Sequence, residues 1–262
     1  MITPKRREME AALASAWPVT WTEDYGKFEL RASPENSNRG NCVRLVAERP
    51  DVTTLIEVAR PFFERHGRPL QVAVAEPLAF VDSELAAIGL GVVNPSLIMK
   101  RTPPIATDLP TLGRLRVERH TRPSPTWLAA WNECAELGAA RDAHFSIVSK
   151  MRDRAYFVSL HDGAGAPLAV GSFVCHGSWR CFGNLATRKD ARQQGFGGLV
   201  LKILAARKVA GVGYDVLQVD RHNPAVNLYR KHGFRSAYAY HYRREMSGFG
   251  EIADQGHAPQ GA

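Results

Sequence analysis

Cysteine is scarce in this sequence, and its spacing argues against several classes of protein. Only four cysteines occur in 262 residues, namely Cys42, Cys134, Cys175 and Cys181. None forms a C-x-x-C pair or has zinc-site spacing, so neither a disulfide framework nor a metal site is predicted. Several lie within apolar patterns, where a free thiol behaves as a small hydrophobic side chain. We therefore expect reduced thiols and a reducing compartment.

Long apolar runs are also missing. No stretch approaches the roughly 18 apolar residues of a membrane helix. The segment Met1–Ala16 is charged and lacks the apolar centre of a secretory signal. From these features we expect a cytoplasmic protein with no membrane partner.

Positive charge exceeds negative charge, with 34 Lys and Arg against 26 Asp and Glu, which gives a formal net charge of +8. A basic surface attracts polyanions. The basic residues are spread along the chain, without a long run or a nucleic-acid recognition motif. We therefore predict no nucleic-acid partner.

The sequence divides into two halves and a tail. The segment Arg101–Pro110 is rich in Pro and Thr and is predicted to be a linker. We assign residues 1–104 and 112–246 to two domains, and we predict that residues 247–262 are disordered. Each half ends in alternating strands and helices, which predicts mixed α/β units over a sheet. The predicted helices cover residues 6–15, 52–65, 80–88, 125–137, 142–150, 196–209 and 225–232. The predicted strands cover residues 27–32, 41–47, 70–74, 92–99, 115–118, 155–160, 168–175, 180–186, 215–219 and 236–242.

The most informative segment is Arg192-Gln-Gln-Gly-Phe-Gly-Gly198, between a predicted strand and a predicted helix. Its three glycines permit positive φ and close approach of the backbone to a ligand. The free N–H groups and the dipole of a helix N-terminus favour an anion. A plain strand-to-helix turn is the alternative. The segment lacks G-x-x-x-x-G-K-[ST], and Val200 replaces the third glycine of G-x-G-x-x-G.

This segment matches the pyrophosphate motif Q/R-x-x-G-x-G/A of the GNAT superfamily of N-acetyltransferases. A second segment, Asn223-Pro-Ala-Val-Asn-Leu-Tyr-Arg-Lys-His-Gly-Phe234, resembles the family's helix N-x-A-x-x-L-Y-x-x-x-G-F. The resemblance covers about residues 114–244. It implies an α/β (α+β) fold with a mixed, mostly antiparallel central sheet flanked by helices and a smaller GNAT-like N-terminal half.

The resemblance also implies a reaction and its residues. GNAT enzymes transfer an acetyl group from acetyl-CoA directly to an amine, in a ternary complex and without a metal. Tyr229 stands where the family has its general acid. Asn223 is expected to cap its helix, with a contact to CoA as the alternative. The expected CoA-binding residues are the strand residues Leu185, Ala186 and Thr187 and the loop residues Arg192, Gln193, Gln194, Gly195, Phe196, Gly197 and Gly198.

The general base stays open at this point. Asn184 stands where many family members carry an acidic residue, and its amide can position a water but cannot remove a proton. The other candidates, each with an ordinary surface role as its alternative, are Glu133, Glu136, Asp142, His144, His176, His222 and His241.

The N-terminal half resembles the degenerate partner half of tandem GNAT proteins. Leu85 stands at the position of the family's tyrosine, and Glu48–Asp51 contains no glycine where a phosphate loop would be. We therefore expect no second CoA site, and a role in covering the acceptor cleft or the sheet edge. The segment Asn38–Asn41 is expected to form a turn or to face the substrate.

We predict an N-acetyltransferase that acts on a small-molecule or peptide amine, as a monomer or a homodimer. A non-catalytic acyl-CoA-binding sensor is the second hypothesis. A nucleic-acid-binding protein that uses the positive charge is the third.

Overall fold

A computed structural model describes residues 3–103, 109, 111–151 and 154–246. Part of the predicted linker and the whole predicted tail, residues 247–262, lie outside the described residues. Within these ranges, every helix is too short or too polar to cross a bilayer.

The described residues form seven α-helices and eleven β-strands, and the predicted α/β class is confirmed. The helices are α1 (Pro4–Ser15), α2 (Val52–Arg65), α3 (Ala79–Ala87), α4 (Pro125–Ala135), α5 (Arg141–Ser149), α6 (Phe196–Ala206) and α7 (Ala225–Lys231). The strands are β1 (Trp21–Asp24), β2 (Phe28–Ala32), β3 (Cys42–Leu45), β4 (Gln71–Ala75), β5 (Gly91–Arg101), β6 (Arg116–His120), β7 (Ala155–His161), β8 (Pro167–His176), β9 (Trp179–Thr187), β10 (Tyr214–Asp220) and β11 (Arg235–Arg244).

One strand was not predicted, and several predicted bounds differ from the structure by one or more residues. β1 was not predicted, because this short edge strand is mostly exposed and shows no apolar alternation. Helix α6 ends at Ala206, and Arg207 already has extended backbone angles, so the predicted last turn up to residue 209 does not form.

All eleven strands lie in one sheet, in the order β1-β2-β3-β4-β11-β5-β10-β9-β8-β7-β6. Only the pairs β3–β4 and β9–β10 are parallel among the described strands. The last strands of the two halves are exchanged, since β5 pairs with β10 while β11 pairs with β4. β5 and β11 also pair with each other. The sheet is therefore continuous across the predicted boundary, and the division into two domains stays a prediction.

Both faces of the second half are covered by helices. On one face, Val158 and Leu160 pack in a core with Val200 and Leu204 of α6. On the other face, the core contains Phe157 and Val170 from the sheet together with the tryptophans of α4, Trp127 and Trp131. Ser124 starts α4 as predicted, because its side chain accepts a hydrogen bond from the Trp127 N–H. All four cysteines are buried and free.

A row of three charged side chains joins the central strands. Asp215 on β10 has no exposed surface. Its carboxylate binds Arg180 of β9 through Nε at 2.8 Å and Nη2 at 3.0 Å, and Arg101 of β5 through Nε at 2.8 Å. Both arginines are its cross-strand neighbours. The row therefore ties the exchanged strand of the first half to the parallel pair of the second half.

Removing this carboxylate should destabilise the whole sheet. We expect Asp215→Ala to lower the free energy of unfolding by about 3–5 kcal/mol, because two guanidiniums would stay buried without their anion. Urea denaturation measures the loss. Glu23→Ala breaks an exposed ion pair with Arg65 and, as a control, should cost less than about 1 kcal/mol. Equal effects of the two substitutions would contradict the central role of the row.

Candidate functional site

A cleft opens where the parallel strands β9 and β10 separate. The two strands pair from Trp179 and Tyr214 as far as Phe182 and Leu217. Beyond this point β9 stays paired with β8, and β10 stays paired with β5. Among the described strands, none pairs with the other edge of Gly183–Thr187. We call this opening the cleft; its backbone groups are available to a ligand.

A β-bulge shapes the wall of the cleft. Gly183 pairs with Ser172 and Ala186 pairs with Val170, so β9 carries one extra residue between these pairs. Asn184 sits in the bulge with a φ of 53°, a conformation that asparagine adopts more readily than most residues. Its Nδ2 donates a hydrogen bond to Ser172 Oγ at 2.9 Å. Backbone conformation thus accounts for an asparagine at this position.

The glycine-rich segment forms the start of α6. Gly195 has a φ of 87° and directly precedes the first helical residue, Phe196. Gln193 also has a positive φ, of 62°. Among the described residues, none accepts a hydrogen bond from the main-chain N–H groups of Gln193 to Gly198. Such a row of free donors at the N-terminus of an 11-residue helix is suited to an anion.

The glycines of this segment have different structural roles. An added Cβ at Gly195 would meet no atom within 4 Å, so this position requires glycine for its backbone angle. A Cβ at Gly198 would lie 3.0 Å from Nε2 of His232, at the end of α7. Gly198 therefore allows α6 and α7 to approach closely. Gly197 is buried in the first turn of α6.

The arginines beside the loop are held by acidic side chains. Arg192 donates from Nε to the Thr187 carbonyl at 3.2 Å, and its Nη2 lies 3.4 Å from Glu136. Arg188 binds Asp190 at 2.7 Å and lies 3.5 Å from Glu133. Glu133 and Glu136, both considered as bases, therefore flank the loop instead of lining the cleft.

Tyr229 lies at the inner end of the cleft. It is 4% exposed and lines a small cavity with Gly183, Leu185 and Gln218. Burial raises the pKa of its phenol, and the nearby charge of Arg39 lowers it by a smaller amount. The hydroxyl is therefore protonated at neutral pH. The phenol has no hydrogen-bond partner among the described residues.

Asn184 and His144 line one cavity, together with Leu185, Ala186 and Gln218. His144 packs against the Trp131 ring at 5.6 Å between centroids. Its Nδ1 is buried and has no hydrogen-bond partner in the part of the chain that the structure describes. Burial lowers the pKa of His144, and the positive charge of Arg39 lowers it further. The imidazole is therefore neutral at pH 7.

The other base candidates lie elsewhere. Asp142 is exposed and binds its neighbour Arg141. His241 donates from Nε2 to the Asp82 carboxylate at 2.6 Å, on the far side of β11 from the cleft residues. His176 and His222 are exposed at a strand end and in a turn. Of all the predicted candidates, Asn184 and His144 alone come together among the described residues.

Comparisons with known proteins fit this geometry. The family model described as an acetyltransferase (GNAT) domain matches residues 152–236. An uncharacterized N-acetyltransferase, YobR from Bacillus subtilis (strain 168), is 26% identical over 249 residues, covering 90% of this chain and 97% of that protein. Residues 152–236 thus match the GNAT acetyltransferase domain, and the similarity of the longer chain to an N-acetyltransferase supports an acyltransferase enzyme.

Solved structures show that the GNAT fold extends over both halves. A GCN5-related N-acetyltransferase from Kribbella flavida aligns with a TM-score of 0.69 and 16% identity, over 92% of this chain and 94% of that one. A tandem GNAT protein from the clavulanic acid biosynthesis pathway aligns with a TM-score of 0.65 and 18% identity, over 95% and 90%. At these identities the likeness establishes the fold.

Asn223 lies just before the helix that carries Tyr229. Its Oδ1 accepts a hydrogen bond from the Ala225 N–H at 2.8 Å, as expected of a capping residue. The cap fixes the first turn of α7 and, through it, the direction of Tyr229.

The GNAT motifs miss several residues that line the cleft from the first half. Arg39 donates from Nη2 to the Gln218 carbonyl at 3.3 Å, across 179 positions of sequence. Asn94 forms a second positive-φ bulge, and Trp17 and Tyr240 complete the wall. The sequence signal for this loop is the segment Asn38-Arg39-Gly40-Asn41, whose asparagines and glycine are typical of a turn.

Proposed function

We propose that the protein transfers the acetyl group of acetyl-CoA to an amine bound in the cleft, in a ternary complex with Tyr229 as general acid. The observation that carries this proposal is the row of free N–H groups from Gln193 to Gly198, at the start of the helix that follows the unpaired strand edge Gly183–Thr187, together with a buried, protonated phenol beside that edge. A diphosphate suits the donors, and a thioester suits the phenol.

The open edge of β9 is suited to the pantetheine arm. Leu185 to Thr187 follow the bulge and have no strand partner on the cleft side. An amide-containing chain can add to such an edge as a strand would. A backbone N–H at this edge would also polarise the thioester carbonyl. Arg192 would approach the pyrophosphate from the side of the loop.

The reaction then requires two proton transfers. The amine nitrogen bonds to the carbonyl carbon, and the carbon–sulfur bond breaks. Tyr229 gives its proton to the leaving thiolate and regains one from solvent. His144 is the neutral base that the geometry favours for the proton lost by the amine, directly or through a water held by Asn184.

Binding of the donor can be tested at one glycine. We expect Gly195→Asp to weaken binding of acetyl-CoA at least 10-fold in calorimetry, because it places a negative charge beside the diphosphate. Gly211→Asp is a matched control, since Gly211 also has a positive φ, of 78°, and open space around its Cβ. If both variants bind acetyl-CoA like the parent, the anion site is assigned wrongly.

The role of Tyr229 can be separated from binding. We expect Tyr229→Phe to lower kcat by about 10²-fold, because the thiolate would leave without a proton. The affinity for acetyl-CoA should stay within a factor of two or so in the same assay. Release of free thiol with a panel of amines measures turnover. Unchanged kcat would remove Tyr229 from the reaction, and absence of turnover with every amine would favour a non-catalytic sensor.

The role of His144 predicts a pH dependence. The pKa of His144 lies below its ordinary value of 6.5, so kcat/KM should fall as pH drops through the lowered pKa. His144→Gln should lower kcat by about 10²-fold and abolish this acidic limb. The unfolded chain binds more protons than the folded one just below pH 6.5, so this group also makes the fold less stable there. As a control, the stability of the fold is therefore measured at each pH. If the decrease of kcat/KM at low pH persists in His144→Gln, His144 is not the base.

A further inference from the structure

A second cavity lies on the first half of the sheet, beneath α1. It encloses about 710 Å³, including its open mouth. Its walls are mostly apolar, with aromatic rings from β11. Four arginines and one carboxylate line it, namely Arg6, Arg31, Arg39, Arg44 and Glu10. We call it the basic cavity.

Its positive charges are only partly balanced. Glu10 binds Arg6 at 2.9 Å. Glu29 lies 2.7 Å from Arg44 and 3.9 Å from Arg31. Four guanidiniums thus have two carboxylates as partners, which leaves an excess of two positive charges around this cavity. Such an excess favours an anionic ligand.

Arg39 is the charge without an acidic partner. Its Nη2 donates to the Gln218 carbonyl at 3.3 Å, and its guanidinium lies 5.2 Å from the centre of the Trp17 ring. Within the described ranges, no carboxylate lies at ion-pair distance from it. The remaining N–H groups of its guanidinium are available for a bidentate contact.

Arg31 adds a second, buried cation. It is 5% exposed, and its Nη2 donates to the carbonyls of Ala14 and Trp17 at 2.9 and 2.7 Å. Its Nε has no hydrogen-bond partner among the described residues. These carbonyls fix the guanidinium in place, and its ion pair with Glu29 is long, at 3.9 Å. A buried cation in this state is stabilised by an additional anion.

The basic cavity adjoins the cleft. Trp17, Arg39, Gln218 and the tyrosines Tyr240 and Tyr242 line both the basic cavity and the cavity that contains Asn184 and His144. Arg39 lies at this junction. A ligand with its anionic group on Arg39 can therefore reach both spaces.

We propose that the basic cavity holds the acceptor, and that the acceptor is an amine carrying a carboxylate on an apolar body, as in a hydrophobic amino acid. Arg39 binds the carboxylate, the apolar side chain occupies the basic cavity, and the amino group points into the cleft. A single free guanidinium matches a carboxylate in planar, bidentate geometry. This inference rests on the proposed function in one respect, namely that the acetyl donor binds in the cleft.

Paired amines test the inference. L-phenylalanine and L-leucine are compared with 2-phenylethylamine and 3-methylbutylamine, which keep the apolar body and the amino group but lack the carboxylate. We expect kcat/KM to be at least 10-fold higher for the amino acids. Arg39→Gln should raise KM for the amino acids at least 10-fold more than it raises KM for the simple amines. Arg39→Lys should restore part of the preference.

Two controls separate recognition from folding. Arg49→Gln removes an exposed arginine that lies over the Phe80 ring, 5.8 Å from its centre, and should change none of these values. A structural role of Arg39 would raise KM for both kinds of amine alike. That result, or the absence of any preference for the amino acids in the parent protein, would overturn the inference.

A binding measurement without turnover distinguishes the two proposals. N-acetyl-L-phenylalanine is titrated into the parent and into Arg39→Gln in the absence of CoA. We expect binding to the parent and at least 10-fold weaker binding to the variant. If this holds while acetyl-CoA fails to bind, the basic cavity is confirmed and the proposed function is wrong. If acetyl-CoA is used but neither this compound nor the amino acids bind, the inference about the acceptor is wrong.

Discussion

The cleft exists because the parallel strands β9 and β10 are held together at one end and separate at the other. Asp215 binds Arg180 and Arg101 in one row across three strands, at the closed end of the cleft. Burying three charges is costly, and their mutual pairing offsets that cost together with hydrogen bonds from both arginines to backbone carbonyls. A few residues further on, β9 and β10 each keep their outer neighbour and separate from each other. The ion pairs of Asp215 thus hold β9 and β10 together at one end of the cleft. The bulge at Asn184 lies where the two strands separate.

The site combines groups whose charge states are set by burial. Tyr229 keeps its proton because burial disfavours the phenolate, and His144 stays neutral because burial and Arg39 disfavour the imidazolium. The loop before α6 supplies positive potential from its backbone dipoles. The residues Gln193 to Gly198, whose N–H groups are free, include no cationic side chain. The proposed acid, base and anion-binding loop can therefore coexist without neutralising one another.

Much of the donor side was predictable from sequence because its determinants are local. The glycine at position 195 and the first turn of α6 are encoded within a few residues, and Asn223 to Phe234 form one helix and its exit. The proposed acceptor side was predictable only in part, since the sequence indicated that Asn38–Asn41 forms a turn or faces the substrate but did not indicate the partners of Arg39. Arg39 meets Gln218 across 179 positions, and the burial of His144 results from packing of α5 against strands of the second half. The role of Gly198 likewise depends on α7, which no local pattern reveals. The exchange of β5 and β11 requires knowledge of the whole sheet.

That exchange gives the molecule an approximate symmetry. On each side of the β5–β11 pair stand a parallel strand pair and its crossover helix, α2 in one half and α6 in the other. A chain of half this length that swapped its final strand with a second copy would build a similar strand order. The protein thus resembles a fused, strand-swapped dimer in which one half carries the glycine-rich loop before α6 and the other has no glycine in Glu48–Asp51. If the chain were cut between the halves, each fragment would expose strand edges that the other half now pairs. The covalent link therefore keeps the two unlike halves together in a one-to-one ratio.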